Sequence, residues 1–224
     1  MKSQSEFIES NYYTSMYACL WNEDKNILID CISSLGVNMA NGGKKKSRYQ
    51  EISIIAISGA LYAIMGSSSF FGITFYGVKF WPAVIIPATI AVLFGGKIGG
   101  LSASIGVFIA DMATHGIAIL SLTVGVPSNF VCFYLIGKFC NKFSVKKYVA
   151  VSSIALALGS MIIGIGLLLW SQFFPLPFQP EVKPMTFLLG LTTALWTFIT
   201  EAPFLYIVVP PLVKTIKGRI SMVN

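Results

Sequence analysis

Two ionisable side chains four positions apart, Asp111 and His115, are the first candidates for chemistry in this sequence. Residues four apart share one face of a helix, so a carboxylate and an imidazole would meet the same ligand. Such a pair can bind a cation, an amine or a heteroaromatic nitrogen, and histidine changes its charge near neutral pH. The alternative is a pair that only caps a helix end. No third histidine or carboxylate lies close in the sequence, so we expect neither a metal site nor a cofactor.

Aromatic side chains form a second group of candidates. The uncharged segment 67–77 has four aromatic residues, among them Phe75 and Tyr76, and Trp170 lies at the end of a later apolar run. Solute sites are concave and mostly apolar, with a few polar groups that orient the ligand, so we predict substrate contacts at all three residues. An aromatic belt at a membrane surface is the other reading of the same pattern.

Hydroxyl, amide and indole groups within two apolar runs form the third group. The first run has Thr123 and Asn129, and the second has Thr193, Trp196 and Thr200. Polar groups are costly in a bilayer and usually face a protein interior or a cavity. Trp196 and Thr200 are four apart, so an aromatic ring and a hydroxyl would face one ligand. We predict substrate contacts at all five positions.

Glu201 is the only ionisable residue well inside one of these apolar runs. Two roles are open for it. In the structural role it bonds to Asn129 or to backbone groups that are freed near Pro127 and Pro203. In the other role it contacts a ligand.

Six long uncharged runs carry these side chains. Hydrophobic residues make up 55% of the chain and charged residues 11%, with a mean hydropathy of +0.75, which exceeds what a soluble domain of this size could bury. A helix needs roughly 20 apolar residues to cross the hydrocarbon core. The sequence therefore predicts an all-α polytopic membrane protein, a compact bundle of six transmembrane helices. The predicted spans are 51–69, 79–96, 97–113, 116–137, 148–172 and 185–210.

The basic residues lie at alternate ends of the runs. Twelve of the 16 lysines and arginines precede the first span, follow the last or lie in the loops after the second and fourth spans. Loops rich in lysine and arginine stay in the cytoplasm. We therefore expect a multi-pass protein of the cell membrane with both termini cytoplasmic.

The first 49 residues differ in composition from the rest, being polar and lacking the apolar core of a signal peptide. They are expected either to form a disordered or weakly helical cytoplasmic tail or to lie upstream of a native start at Met39. Residues 50–215 then form the membrane domain, and 216–224 a short basic cytoplasmic C-terminus.

Small residues recur every four positions in the first and third spans, as in Ala56 and Ala60 or in Gly99 and Ala103. This spacing lets helices approach closely in lipid, and we expect the third span to be central. The four cysteines show no CxxC pairing, which argues against disulfides and zinc. Cys132 is expected to be a small packing residue.

A set of local patterns resembles one family. The chain has the AxxxA of Ala56 and Ala60, a Pro-x4-Pro at Pro82 and Pro87, the turn 93–96 with sequence Leu-Phe-Gly-Gly, and a glycine-rich helix that reaches Asp111. These features, over residues 50–215, resemble the substrate-binding S component of an energy-coupling factor (ECF) transporter, a type of ABC transporter. The chain departs from the family pattern in having Gly96 where proline is frequent and Val107 where an acidic residue often occurs.

The resemblance implies a function and a set of partners. An S component binds a vitamin or similar micronutrient from outside, then docks on a membrane coupling (T) subunit that is driven by two cytoplasmic ABC ATPases. The family's AxxxA surface meets the coupling subunit, which implies that role for Ala56, Ala60 and Ala63. The sequence has no GxxxxGK[ST] phosphate loop, so we expect no enzymatic activity in this chain, and energy from the partner ATPases. Nucleic acid is not expected as a partner.

The main alternative is a solitary secondary transporter or facilitator of a small organic solute. Such proteins often contain internal duplications, and no convincing three-plus-three repeat is present. Intramembrane proteases are disfavoured because HExxH and GxSxG motifs are missing. The aromatic segment favours a substrate with a flat ring or an apolar body, without identifying it.

Overall fold

The computed structural model describes residues 48–68, 73–75, 78–140, 143–177 and 184–223. These ranges contain six helices in chain order: α1 (Arg48–Ser68), α2 (Ile85–Phe94), α3 (Gly96–Thr114), α4 (Ala118–Phe139), α5 (Val145–Phe173) and α6 (187–223). Between α1 and α2 lie the antiparallel two-residue strands β1 (Thr74–Phe75) and β2 (Val78–Lys79) and a 3-10 helix (Pro82–Val84). Residues 1–47 of the predicted tail, which include Met39 and the two N-terminal cysteines, lie outside the described residues, as does Tyr76, whereas residues 48 and 49 belong to α1.

The prediction of an all-α membrane protein with six helices is confirmed. Helices α1, α4, α5 and α6 are each long and apolar enough to cross a membrane, and Pro82–Phe94 is a shorter apolar helix. The glycine-rich α3 has 19 residues. The predicted spans fall on the six helices, but the second starts at Pro82 rather than at residue 79, because Lys79 belongs to the strand pair.

Many large apolar side chains are exposed on the outside of the bundle, as expected when the solvent is lipid, and small residues are frequent in its interior. On α3 the exposed large apolar side chains are Leu101, Ile105 and Ile109, spaced by four residues, so they form one stripe along the helix. The interior of the bundle is rich in alanine, including Ala83, Ala88 and Ala103, all with no exposed surface. This places the lipid-facing surface on the outer stripes of the helices.

Helix α2 is the most enclosed of the helices. It packs against α1, α3 and α4, and nearly all of its residues are buried. A single residue, Gly95, joins it to α3 with φ of 102°, a left-handed conformation that favours glycine. The sharp turn brings α3 back alongside α2, and α3 in turn packs against α1, α2 and α4.

Helices α1 and α3 approach closely through small residues. The hydroxyl oxygens of Ser58 and Ser102 lie 2.6 Å apart and are hydrogen-bonded. A Cβ atom added to Gly106 would lie 2.7 Å from the carbonyl oxygen of Gly59 and 2.6 Å from Cδ1 of Tyr62. Glycine is therefore required at residue 106 for the two backbones to come this close.

The exposed face of α1 includes part of the predicted coupling surface. Ile52, Ala56, Ala60 and Ile64 are exposed at four-residue intervals, which puts them along one side of the helix. Ala63, also predicted for this surface, is only 4% exposed. Ala63 therefore lies off the exposed face, in the half of α1 where Gly66 and Tyr62 contact Trp81, and its contact with a coupling subunit stays a prediction.

We expect Gly106→Ala to destabilise the protein. Alanine is the better helix former by about 1 kcal/mol, but overpacking against Gly59 and Tyr62 costs about 1–3 kcal/mol, so the net effect is a lower melting temperature. Thermal unfolding of the purified protein in detergent measures it. Ile109→Ala, which truncates a lipid-facing side chain of the same helix, is the control and should change the melting temperature less. A variant as stable as the wild type would show that α1 and α3 are not in contact at Gly106.

Candidate functional site

A cavity of about 120 Å³ lies at the end of the bundle where α3 ends and α4 begins. This volume exceeds that needed for a single water molecule. The lining side chains come from α1, the strand pair, α3, α4, α5 and α6, and they are mostly apolar with a few polar groups, as in solute sites generally. They are Tyr62, Val78, Lys79, Trp81, Val107, Asp111, Thr114, His115, Leu120, Ser121, Val124, Gly125, Asn129, Ile163, Leu167 and Glu201.

A π-helical turn in α4, Ser121–Gly125, shapes one wall of the cavity. Such turns insert one residue into a helix and are frequent at functional sites. Three of its residues, Ser121, Val124 and Gly125, line the cavity. A Cβ atom at Gly125 would lie 2.6 Å from the Oδ2 atom of Asp111, so glycine at this position leaves room for the carboxylate.

Asp111 and His115 lie together in the wall, as their spacing predicts. The Ser121 hydroxyl donates a hydrogen bond of 2.6 Å to Oδ2 of Asp111. The Nε2 atom of His115 is 3.9 Å from Oδ1 of the same carboxylate. Its Nδ1 atom accepts a hydrogen bond from the backbone N–H of Ile117 at 3.2 Å, so in the neutral ring the proton is on Nε2, facing Asp111.

A chain of hydrogen bonds joins three elements around Tyr62. The indole N–H of Trp81 donates to the Tyr62 hydroxyl at 2.8 Å, and that hydroxyl donates to Oδ1 of Asn129, also at 2.8 Å. The Nδ2 atom of Asn129 donates to the Gly125 carbonyl at 3.0 Å. The rings of Tyr62 and Trp81 meet edge to face, with centroids 6.1 Å apart. This network holds α1, α4 and the segment before α2 in one geometry.

Tyr62 and Trp81 were not among the predicted site residues. Tyr62 occurs in an apolar run where a phenol is itself an intramembrane polar group, and that signal could have identified it. Trp81 lies next to a span boundary, where an indole is typical of the interfacial belt. Its role is visible only when α1 and the segment before α2 are brought together.

The strand pair closes one side of the cavity and is held by two contacts. Lys79 donates from Nζ to the Thr114 hydroxyl at 2.6 Å, and the Trp196 indole N–H donates to the Val78 carbonyl at 3.3 Å. The Trp196 ring also lies against Phe75, with centroids 5.6 Å apart. Partial burial lowers the pKa of Lys79, and the Asp111 carboxylate offsets part of that change.

Trp196 therefore contacts both strands, through the ring of Phe75 in β1 and the carbonyl of Val78 in β2, and neither Trp196 nor Phe75 lines the cavity. Tyr76, the third predicted residue of this group, lies outside the described residues. The predicted contact of Trp196 with the substrate stays a prediction, and in this structure its indole bonds to the strand pair.

Four further predicted residues do not line the cavity. Thr123 is exposed and donates to the Ile119 carbonyl of its own helix. Thr193 and Thr200 likewise donate to carbonyls one turn earlier in α6. Trp170 packs against Phe174, with ring centroids 4.8 Å apart. The hydroxyls satisfy their hydrogen bonds within their own helices, which is the common behaviour of threonine in apolar helices.

Glu201 lines the cavity from α6. The bond to Asn129 that the sequence allowed is not formed, because Asn129 bonds to Tyr62 and Gly125 instead. Glu201 lies close to Pro203, which is followed by the π-helical turn Phe204–Val208. Proline lacks an N–H and disturbs the regular helix, and this irregular region of α6 is where the carboxylate faces the cavity.

Within the described ranges, no group of three or more His, Cys, Asp or Glu residues is placed to hold a metal ion. Asp111, Glu201 and His115 share the cavity wall without forming such a cluster. The wall is suited to orienting an organic solute through hydrogen bonds and apolar contact.

Comparison with protein families finds one match that covers most of the chain. The family model described as ECF transporter, substrate-specific component, matches residues 50–213. Comparisons with curated proteins and with solved structures find no match. The matched range includes every residue of the cavity wall. The chain therefore belongs to the family of substrate-specific components of ECF transporters, which are multi-pass membrane subunits that bind substrate and are not enzymes.

Proposed function

We propose that this protein captures a vitamin or similar small micronutrient from outside the cell and delivers it through an ECF-type coupling module. The observation that carries the proposal is the family match over residues 50–213. The cavity lies wholly within that range and is closed on one side by the short strand pair. Substrate capture requires such a cavity, and delivery requires a partner that supplies energy.

The charge distribution supports an outward-facing cavity. Lys97 at the start of α3, Lys138 at the end of α4 and Lys146 at the start of α5 all lie at the end of the bundle opposite to the cavity. Basic helix ends favour the cytoplasm. We infer that the cavity faces the extracytoplasmic side and that both termini are cytoplasmic.

Single cysteines placed in a variant without the four native ones would test this orientation. Ala113 and Ser144 are exposed at opposite ends of the bundle. On intact cells a membrane-impermeant maleimide should label Ala113→Cys, whereas Ser144→Cys should react only after permeabilisation. The reverse pattern would put the cavity on the cytoplasmic side and contradict uptake from outside.

The coupling surface is expected on the exposed face of α1. Ile52 and Ile64 are 62% and 65% exposed, and Ala56 and Ala60 lie between them with little side-chain bulk. Small residues four apart allow another helix to pack closely in lipid. ECF systems contain a membrane T subunit and ATPases, and we propose that the T subunit packs on this face while two ABC ATPases drive the assembly.

We expect Ala60→Trp to abolish assembly with the coupling module, because the indole would hold the partner helix away from α1. A tagged copy is purified from its native membrane in mild detergent, and the co-purifying proteins and small molecules are identified by mass spectrometry. Two ABC-type ATPases and a second membrane subunit should co-purify with the wild-type protein. None of these partners should co-purify with Ala60→Trp, which should keep its small molecule.

Ala157→Trp provides the matched control, since Ala157 is also exposed but lies on α5. Assembly should be normal in that variant. Equal recovery of the partners with Ala60→Trp would move the coupling surface elsewhere on the protein. A wild-type protein that purifies alone, under conditions that preserve known membrane complexes, would instead favour a solitary transporter.

We expect Trp196→Ala to loosen the strand pair and weaken substrate retention. The change removes both the ring contact with Phe75 and the hydrogen bond to the Val78 carbonyl. Hydrogen–deuterium exchange at the Phe80 amide, which donates to the Ile73 carbonyl at 2.9 Å, reports the opening of this segment. Exchange should be fastest in Trp196→Ala and intermediate in Trp196→Phe, which keeps an aromatic ring but loses the N–H. Unchanged exchange together with unchanged retention would remove Trp196 from any role in closing the cavity.

A further inference from the structure

We propose that the cavity selects a solute with a positively charged nitrogen, which binds against Glu201, and that it rejects carboxylates. The inference rests on the proposed function, because it names the substrate class of the same cavity. It starts from the two acidic side chains in the cavity wall, Asp111 and Glu201, which differ in the partners that surround them.

Asp111 already has compensating groups. It accepts a hydrogen bond from Ser121 at 2.6 Å, and His115 lies 3.9 Å away. Lys79 acts on the same carboxylate electrostatically. A carboxylate with a hydrogen-bond donor and neighbouring basic groups does not need a ligand cation to balance its charge.

Glu201 has no such compensation among the residues that the structure describes. No hydrogen bond or ion pair joins its carboxylate to another described side chain. The groups with which it interacts electrostatically include Tyr62 and Cys132, and neither carries a positive charge. An isolated carboxylate inside a membrane bundle is costly unless a partner arrives.

The remaining polar groups of the wall do not offer that partner. Trp81 donates to Tyr62, Tyr62 donates to Asn129, and the Asn129 amide donates to a backbone carbonyl. These donors are therefore engaged within the protein, and a ligand carboxylate would find few of them available. A ligand with a protonated nitrogen would instead supply the positively charged partner that Glu201 lacks.

The opposite arrangement is a neutral, protonated Glu201 that donates a hydrogen bond to the ligand. It makes a different prediction about ligand charge, because a neutral acid has no preference for a cation over an uncharged amide. In a third case the Glu201 carboxylate has a purely structural role. Its removal then changes the stability of the protein but leaves the ligand preference unchanged.

Three small probes of similar shape and different charge separate these cases: benzamidine, benzamide and benzoate. Each has one phenyl ring and a planar polar head, and the aromatic wall that includes Tyr62 and Trp81 suits a flat ring. Binding is measured by titration calorimetry with the full-length protein in lipid nanodiscs at neutral pH and millimolar probe concentrations. We expect benzamidine to bind about tenfold or more tightly than benzamide, and benzoate to bind most weakly.

Glu201→Gln, which keeps the shape of the side chain and removes its charge, should cost benzamidine about tenfold in affinity and leave benzamide unchanged. Glu51→Gln is the matched control, since Glu51 lies in the first turn of α1 and away from the cavity wall. It should leave the order of the three probes unchanged. If Glu201→Gln fails to fold, the order of the probes on the wild-type protein decides the question.

Three results would overturn the proposal: benzamide or benzoate binding as well as benzamidine, an unchanged order in folded Glu201→Gln, or no binding of any probe. None of these measurements depends on the coupling module. A protein that recovers its ATPases but shows no charge preference would keep the proposed function and lose this inference. A protein that prefers benzamidine but has no ATPase partners would keep this inference and lose the proposed function.

Discussion

The close approach of α1 and α3 is the contact on which the rest of the structure depends. Lipid removes the hydrophobic driving force between helices, so their association must come from dispersion and from hydrogen bonds between helices. The hydrogen-bonded hydroxyls of Ser58 and Ser102 supply the latter, and Gly106 lets the backbones meet. The same contact places Tyr62 directly against Gly106. Its hydroxyl is thereby fixed within reach of Trp81 and Asn129, which makes the packing of two helices the cause of the polar geometry in the cavity.

That polar geometry is the basis of the proposed selectivity of the cavity. Buried donors are rarely left unpaired. Here Trp81 donates to the Tyr62 hydroxyl, which in turn donates to Asn129. The network occupies donors that would otherwise bind an acidic solute. Acceptor groups still face the cavity. Among the described residues of the wall, Glu201 is the acidic side chain with the fewest hydrogen-bond donors and positive charges around it. The proposed charge preference therefore rests on the hydrogen bonds within the cavity wall as much as on the side chains that face the cavity.

Much of the fold was predictable from the sequence because hydropathy and helix length are local properties. The predicted spans that end at residues 113, 137 and 172 correspond to helices that end at Thr114, Phe139 and Phe173. The cavity was predictable only in part. Of the predicted residues Asp111, His115 and Asn129 line the wall, and for Glu201 the sequence left open whether it faces a ligand. Tyr62 was not identified, because the sequence does not specify how a helix is rotated about its own axis. Thr193 and Thr200 show a second limit of the sequence, since a threonine in an apolar helix can donate its hydrogen bond to its own backbone and need not face a cavity.

Helix α1 has two roles on two faces, and this has a consequence for transport. Tyr62 faces the cavity, while Ala56 and Ala60 are exposed on the surface proposed for the coupling subunit. A displacement of α1 against α3 changes both faces, because the contact at Gly106 joins the helix to the cavity wall. Coupling between two binding events is reciprocal: if docking of a partner on α1 weakens the hold on the solute, a bound solute must oppose docking by the same free energy. In the proposed function, a docking step that weakens the hold on the solute needs energy from outside this chain, and we assign that role to the ATPases of the proposed coupling module.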